Sequence, residues 1–184
     1  MPKIHPKQIL GGVLLDRVNT ALSIVASTVE TTIYSVTIPA NLLGINGVFQ
    51  ANIIGTFTNN SVLLGTTYMI RVKLGGVTIY QDTSPNVGLS ANLRAFNYAL
   101  WLVNRNNLAS QTGGGQLNLS EAGVPTVGVG VFSATDIGNG VIRFASSVAN
   151  TALDQIFSVT IQHTSGAANV ATVREFANSV VYPT

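Results

Sequence analysis

The chain has 184 residues, no cysteine, 46% apolar and only 9% charged residues, with nine Lys and Arg against seven Asp and Glu. That length suits one domain. The missing cysteine excludes disulfide staples and cysteine-bound metal, the apolar content excludes a disordered chain, and no apolar run is long enough for a membrane helix.

Residues 1–20 read as an extended N-terminal arm. They hold Pro2, Pro6, Gly11-Gly12, the cations Lys3, Lys7 and Arg17, and the apolar patches Ile9-Leu10 and Val13-Leu14-Leu15. Proline restrains its own backbone and that of the preceding residue toward extended forms. Exposed apolar patches need a surface to bury against. Lys3, Lys7, Ile9, Leu10, Leu14, Leu15 and Arg17 are therefore the candidate partner-binding residues. Met1-Pro2-Lys3-Ile4-His5-Pro6 lacks the apolar core of a secretory signal, so synthesis in a cytosol is expected.

Residues 21–184 form the second unit, and their pattern has the period of two that marks half-buried strands. Apolar residues of Tyr34-Ser35-Val36-Thr37-Ile38 share one face. Phe49, Ala51, Ile53 and Phe57 do the same, with Gln50 and Asn52 opposite. Tyr68, Ile70, Val72 and Leu74 alternate with Met69, Arg71 and Lys73. Gly75-Gly76 then predicts a tight hairpin into Val77-Thr78-Ile79-Tyr80, because the turn needs positive φ. Phe96, Tyr98, Leu100 and Leu102 alternate within residues 93–104. Leu117 and Leu119 flank Asn118. Phe157, Val159 and Ile161 alternate within residues 155–163, and residues 170–182 are β-rich but less regular.

Asn59-Asn60-Ser61, Ser84-Pro85-Asn86, Gly113-Gly114-Gly115 and residues 165–169 carry loop signals. A single helical turn is expected around residues 38–43, ended by Gly44. Eight or nine strands at regular spacing predict an all-β, antiparallel two-sheet sandwich, jelly-roll-like, with the arm ahead of it.

The search for chemistry assigns no catalytic, cofactor-binding or metal-binding residue. His5 and His163 have no companion ligands at metal spacing; His163 reads as a strand-end residue with a satisfied hydrogen bond. Asp16, Glu30, Asp82, Glu121, Asp136, Asp154 and Glu175 each sit near a turn or strand end, without the paired-acid signal of a glycosidase. No nucleophile elbow is present, and Gly113-Gly114-Gly115 lacks the Lys and Ser/Thr of a phosphate loop. The chain reads as a non-enzyme without cofactors. Beyond the N-terminal cluster the cations are scattered at Arg71, Lys73, Arg94, Arg105, Arg143 and Arg174. They form no patch to displace counterions, so neither nucleic acid nor membrane is an expected partner.

Trp101 stands opposite Leu100 and Leu102 on a strand whose two faces both look apolar. It is a candidate oligomer-interface residue, with packing favoured over sugar stacking. The poverty of charge has two accounts that stay open: a surface covered by sister subunits, or a sandwich simply rich in Thr and Asn.

Residues 31–44 (Thr31-Thr32-Ile33-Tyr34 through Leu43-Gly44), 53–61, 71–80 and 158–163 resemble segments of phage virion β-sandwich proteins of the capsid-decoration and tail-fibre kind. The resemblance spans about residues 28–165 and is a pattern of strands and turns rather than a catalytic motif. It implies a jelly-roll-like fold, a homotrimer and residence in the virion. The first expectation is a capsid decoration (cement) protein that binds the major capsid protein or another virion protein and stabilises the shell. The alternative is a receptor-binding tail or head fibre domain that recognises a host surface glycan through residues 83–92, 105–116 and 133–140.

Overall fold

The computed structural model describes residues 11–60, 66–82, 86–87, 90–122 and 141–183. They form twelve strands: β1 (Val13–Val18), β2 (Leu22–Val25), β3 (Thr31–Ile38), β4 (Val48–Asn59), β5 (Thr66–Leu74), β6 (Val77–Asp82), β7 (Asn86–Val87), β8 (Ser90–Asn104), β9 (Gln111–Ala122), β10 (Val141–Ser147), β11 (Gln155–His163) and β12 (Val170–Tyr182). One sheet has seven strands in the order β1-β12-β4-β8-β9-β10, with β2 also on β12. The other has five, in the order β3-β11-β5-β6, with β7 on β5. All pairings are antiparallel. The architecture is the expected all-β, jelly-roll-like two-sheet sandwich.

The period of two places the core. Phe49, Ala51, Ile53 and Phe57 of β4 point inward, as do Tyr68, Ile70, Val72 and Leu74 of β5 and Phe157, Val159 and Ile161 of β11. The sheets interlock through rings. Phe49 meets Phe157 at 4.6 Å between centroids, and Phe57 lies 4.4 Å from both Tyr68 and Phe96. Burying one such side chain contributes about 1.5–3 kcal/mol. Gly75 and Gly76 have φ of +59° and +80°, so the β5–β6 turn takes the form that only glycine adopts without strain.

Four expectations change. First, Val13–Val18 is not part of a free arm. It is an edge strand whose Val13, Leu14 and Arg17 oppose Val181, Val180 and Asn178. β12 would otherwise leave a row of unpaired amides and carbonyls, and β1 and β2 satisfy it. Residues 1–10, with Lys3, Lys7, Ile9 and Leu10, lie outside the described residues.

Second, Gly113-Gly114-Gly115 is not a loop but the middle of β9, paired with Trp101, Leu102 and Leu100 of β8. A Cβ on Gly115 would come within 2.6 Å of Leu100 Cδ2, and one on Gly113 within 2.8 Å of the Trp101 carbonyl. Here glycine lets large neighbours across the strand pair fill the interior. Third, residues 40–46 form turns rather than a helical turn, because Asn41 and Gly44 have φ of 60° and 63° and break the right-handed path. Fourth, the described strands exceed the expected eight or nine, since β1, β2, β7 and β10 were not read as strands and Asn86 was read as loop.

Candidate functional site

The two outward faces of the sandwich differ in chemistry. On the five-stranded sheet the outward side chains include hydroxyls, amides and ions, with Val77 and Ile156 exposed as well. Glu30, just ahead of β3, receives Arg71 at 2.8 Å and Lys73 at 2.5 Å, and its other contact is the Thr160 hydroxyl at 2.7 Å. Arg71 also donates to Gln81 at 2.8 Å and Gln162 at 3.1 Å. The Lys73 hydrogen bond foremost, then that of Thr160, holds the Glu30 carboxyl below its usual range. This network satisfies its own members and is a solvated face.

The seven-stranded sheet presents aromatic, aliphatic and amide groups. Its register lines up outward residues across β12, β4 and β8. Val180 opposes Gln50, which opposes Trp101; Asn178 opposes Asn52, which opposes Ala99; Tyr182 opposes Val48, which opposes Val103. Ala99 brings only a methyl to a row flanked by larger side chains. The result is a shallow depression of about 350 Å³ lined by Gln50, Asn52, Ala99, Trp101, Asn178 and Tyr182, among others, none of them charged. Trp101 is half-buried, and Tyr182 is 41% exposed. Trp101 therefore lies opposite Leu100 and Leu102, as expected, but on the outer surface rather than in the core.

The described arm candidates fall at one corner of this face. Leu14 is 57% exposed and Val13 41%, beside the Tyr182 end of β12. Leu15 is half-buried against the core. Arg17 lies 5.7 Å from the centre of the Phe176 ring. Two cations counted as surface charge are inside. Arg94 is 1% exposed and Arg174 8%, and Arg174 donates to the carbonyls of Ile33 at 3.0 Å and Thr20 at 2.6 Å.

His163 ends β11 as expected and is 1% exposed. Its Nε2 is 2.8 Å from Thr172 Oγ1, and its ring meets Tyr68 edge-on at 5.0 Å. Nδ1 has no hydrogen-bond partner, so the strand-end expectation of a satisfied ring holds for one nitrogen. Burial pushes its pKa down to about 4. It is a neutral core residue. Two further carboxylates hold backbone amides. Asp154 accepts the Ala40 amide at 2.7 Å, and Asp16 the Arg17 amide at 2.8 Å. Among the described residues no three His, Asp or Glu side chains gather as metal ligands, and no helix is long and apolar enough to cross a membrane.

Of the segments expected to read a glycan, residues 86–87, 90–92 and 111–116 belong to β7, β8 and β9 instead of loops. The chain reversal ahead of β9 is pinned by Thr151, whose amide and hydroxyl each donate to the Leu108 carbonyl at 2.8 Å. Residues 83–85, 88–89 and 133–140 lie outside the described residues. Gln50, Asn52 and Asn178 were missed as a set. Alternation marked Gln50 and Asn52 as outward, but nothing local said that β4 would stand between Asn178 and Trp101.

The fold and this face define a two-sheet β-sandwich with one ionic and one aromatic-amide outer surface. No protein-family model matches the chain, and no curated protein matches it. Among solved structures it is similar to the CBM2 module of the evolved Dit of Lactobacillus casei BL23 phage J-1, with 11% identity, TM-score 0.35, 79% of this chain and 67% of that one covered. It is also similar to the Lotus tetragonolobus seed lectin, with 8% identity, TM-score 0.36, 95% and 99% covered. A third likeness is to the infectious bursal disease virus Gt strain structure, with 18% identity, TM-score 0.30, 100% and 47% covered, so this chain spans about half of that protein.

Proposed function

We propose that the chain is a non-enzymatic virion structural protein, a capsid decoration (cement) protein that acts as a homotrimer on the major capsid protein or another virion protein. The observation that carries this reading is the placement of β1. As an edge strand zipped to β12, it begins at a corner of the sandwich where Val13, Leu14 and Tyr182 are exposed. Lys3, Lys7, Ile9 and Leu10 precede this corner in the sequence. An exposed apolar corner of this kind suits attachment to a neighbouring shell subunit. The phage-virion resemblance of residues 28–165 points the same way.

The second reading is a receptor-binding head or tail fibre domain that recognises a host glycan. It is favoured by the uncharged depression around Trp101. Antibody labelling of purified phage particles, viewed by electron microscopy, tests both. Label on the shell, lost when residues 2–10 are deleted, supports the cement reading. Label on fibres supports the second. A chain absent from particles overturns both.

A further inference from the structure

We propose that the depression on the outer face of the seven-stranded sheet is a carbohydrate-binding site for a neutral pyranose, with Trp101 as the stacking platform and Gln50, Asn52 and Asn178 as the groups that read hydroxyls. The inference shares its purpose with the fibre reading, but its chemistry stands on these residues wherever the protein resides.

A pyranose ring has an apolar face of C–H groups and a rim of hydroxyls that both donate and accept. An aromatic side chain serves the first, with a large surface held at low conformational cost. Carboxamides serve the second, because each carries a carbonyl acceptor and an NH₂ donor. The register sets these groups in adjoining rows, Val180-Gln50-Trp101 and Asn178-Asn52-Ala99. Among the described residues, no side-chain hydrogen bond holds Gln50, Asn52 or Asn178, so all three amides are available to a ligand. The depression of about 350 Å³ falls at the small end of the ~300–1,000 Å³ that hold small ligands. Its shallow form suits an exposed sugar residue of a longer chain.

The lining of the depression carries no charge; Arg17, opposite Asn178 and against the Phe176 ring, stands at its edge, and Arg71 and Lys73 lie on the other sheet, engaged with Glu30. A second protein is the weaker occupant. Burying amides unpaired is costly, and three amides line the depression.

Trp101 is the chain's single tryptophan, so its fluorescence reports on this site alone. The full chain is titrated with malto-, cello-, chito- and galacto-oligosaccharides, and with hyaluronan as the acidic control, by fluorescence and calorimetry. The expected result is saturable binding of at least one neutral series, a change in Trp101 emission, and no preference for hyaluronan. Trp101→Ala and Asn178→Ala each weaken calorimetric affinity by roughly tenfold or more, while the far-UV circular dichroism of Asn178→Ala stays unchanged. Three results overturn the proposal. One is no saturable binding of any neutral sugar up to about 10 mM. Another is binding that both substitutions leave intact. The third is dissociation of an oligomer by Trp101→Ala in sedimentation, which makes this face a contact between copies. Particle labelling is independent of these readouts, so loss of the virion reading and loss of the sugar site are separately visible.

Discussion

Acidification tests what the buried histidine contributes. His163 is 1% exposed at the end of β11, against Tyr68 and Thr172. Burial lowers its pKa from 6.5 to about 4. Below pH 6.5 the unfolded chain takes up a proton that the folded chain refuses. The histidine's share of stability is therefore intact above pH 6.5, falls as pH drops through that interval, and is fully lost near pH 4. The interval from 6.5 to about 4, at ~1.36 kcal/mol per pH unit, amounts to about 3 kcal/mol. For a chain of this size each kcal/mol moves Tm by ~2–4 °C, so Tm falls by roughly 6–12 °C between pH 7 and pH 4 from this group. Thermal melts by circular dichroism on the native chain and on His163→Gln measure it. The glutamine keeps a polar group near Thr172 but does not titrate. Glu30, whose carboxyl is held low by Lys73, Thr160 and Arg71, loses its contribution at the acid end in both proteins and cancels in the comparison. If the variant loses as much Tm as the native chain over this range, the histidine is not the source and the reasoning fails.

Three other substitutions probe the fold. In Gly55→Ala the new Cβ would stand 2.1 Å from the Val173 carbonyl oxygen and 2.7 Å from the Phe96 ring; overpacking of about 1–3 kcal/mol lowers the denaturation midpoint, and an unchanged midpoint would show that β4 and β12 can part easily. Arg174→Met strips the Ile33 and Thr20 carbonyls of their donor and costs about 1.5–3 kcal/mol in urea denaturation. Glu30→Gln removes two ion pairs whose side chains are 18–30% exposed; it costs under ~1 kcal/mol, less in high salt, and a loss above ~2 kcal/mol would refute the view of this network as a solvated face.

The legible part of this protein is the local part. Alternation in residues 49–57, 68–74, 96–102 and 157–161 placed nearly every inward side chain of β4, β5, β8 and β11, and Gly75-Gly76 named its own turn. Period two is a property of one pleated strand, so one strand's residues suffice to reveal it. The position of Trp101 opposite Leu100 and Leu102 followed by the same logic.

Tertiary structure alone decided what each strand stands beside. Gly113-Gly114-Gly115 has the composition of a loop and becomes strand because Leu100 and Leu102 lie across from it. Val13–Val18 follows prolines and a glycine pair, yet joins the sheet because β12 offers it an open edge. Glu30 finds Arg71 and Thr160, 41 and 130 residues away. Gln50, Asn52 and Asn178 surround Trp101 only through the order β12-β4-β8. The amino-acid order determined which way each side chain faces, because that depends on neighbours along the chain. Long-range pairing determined which side chains share a surface, because register is set by the packing of the whole sandwich.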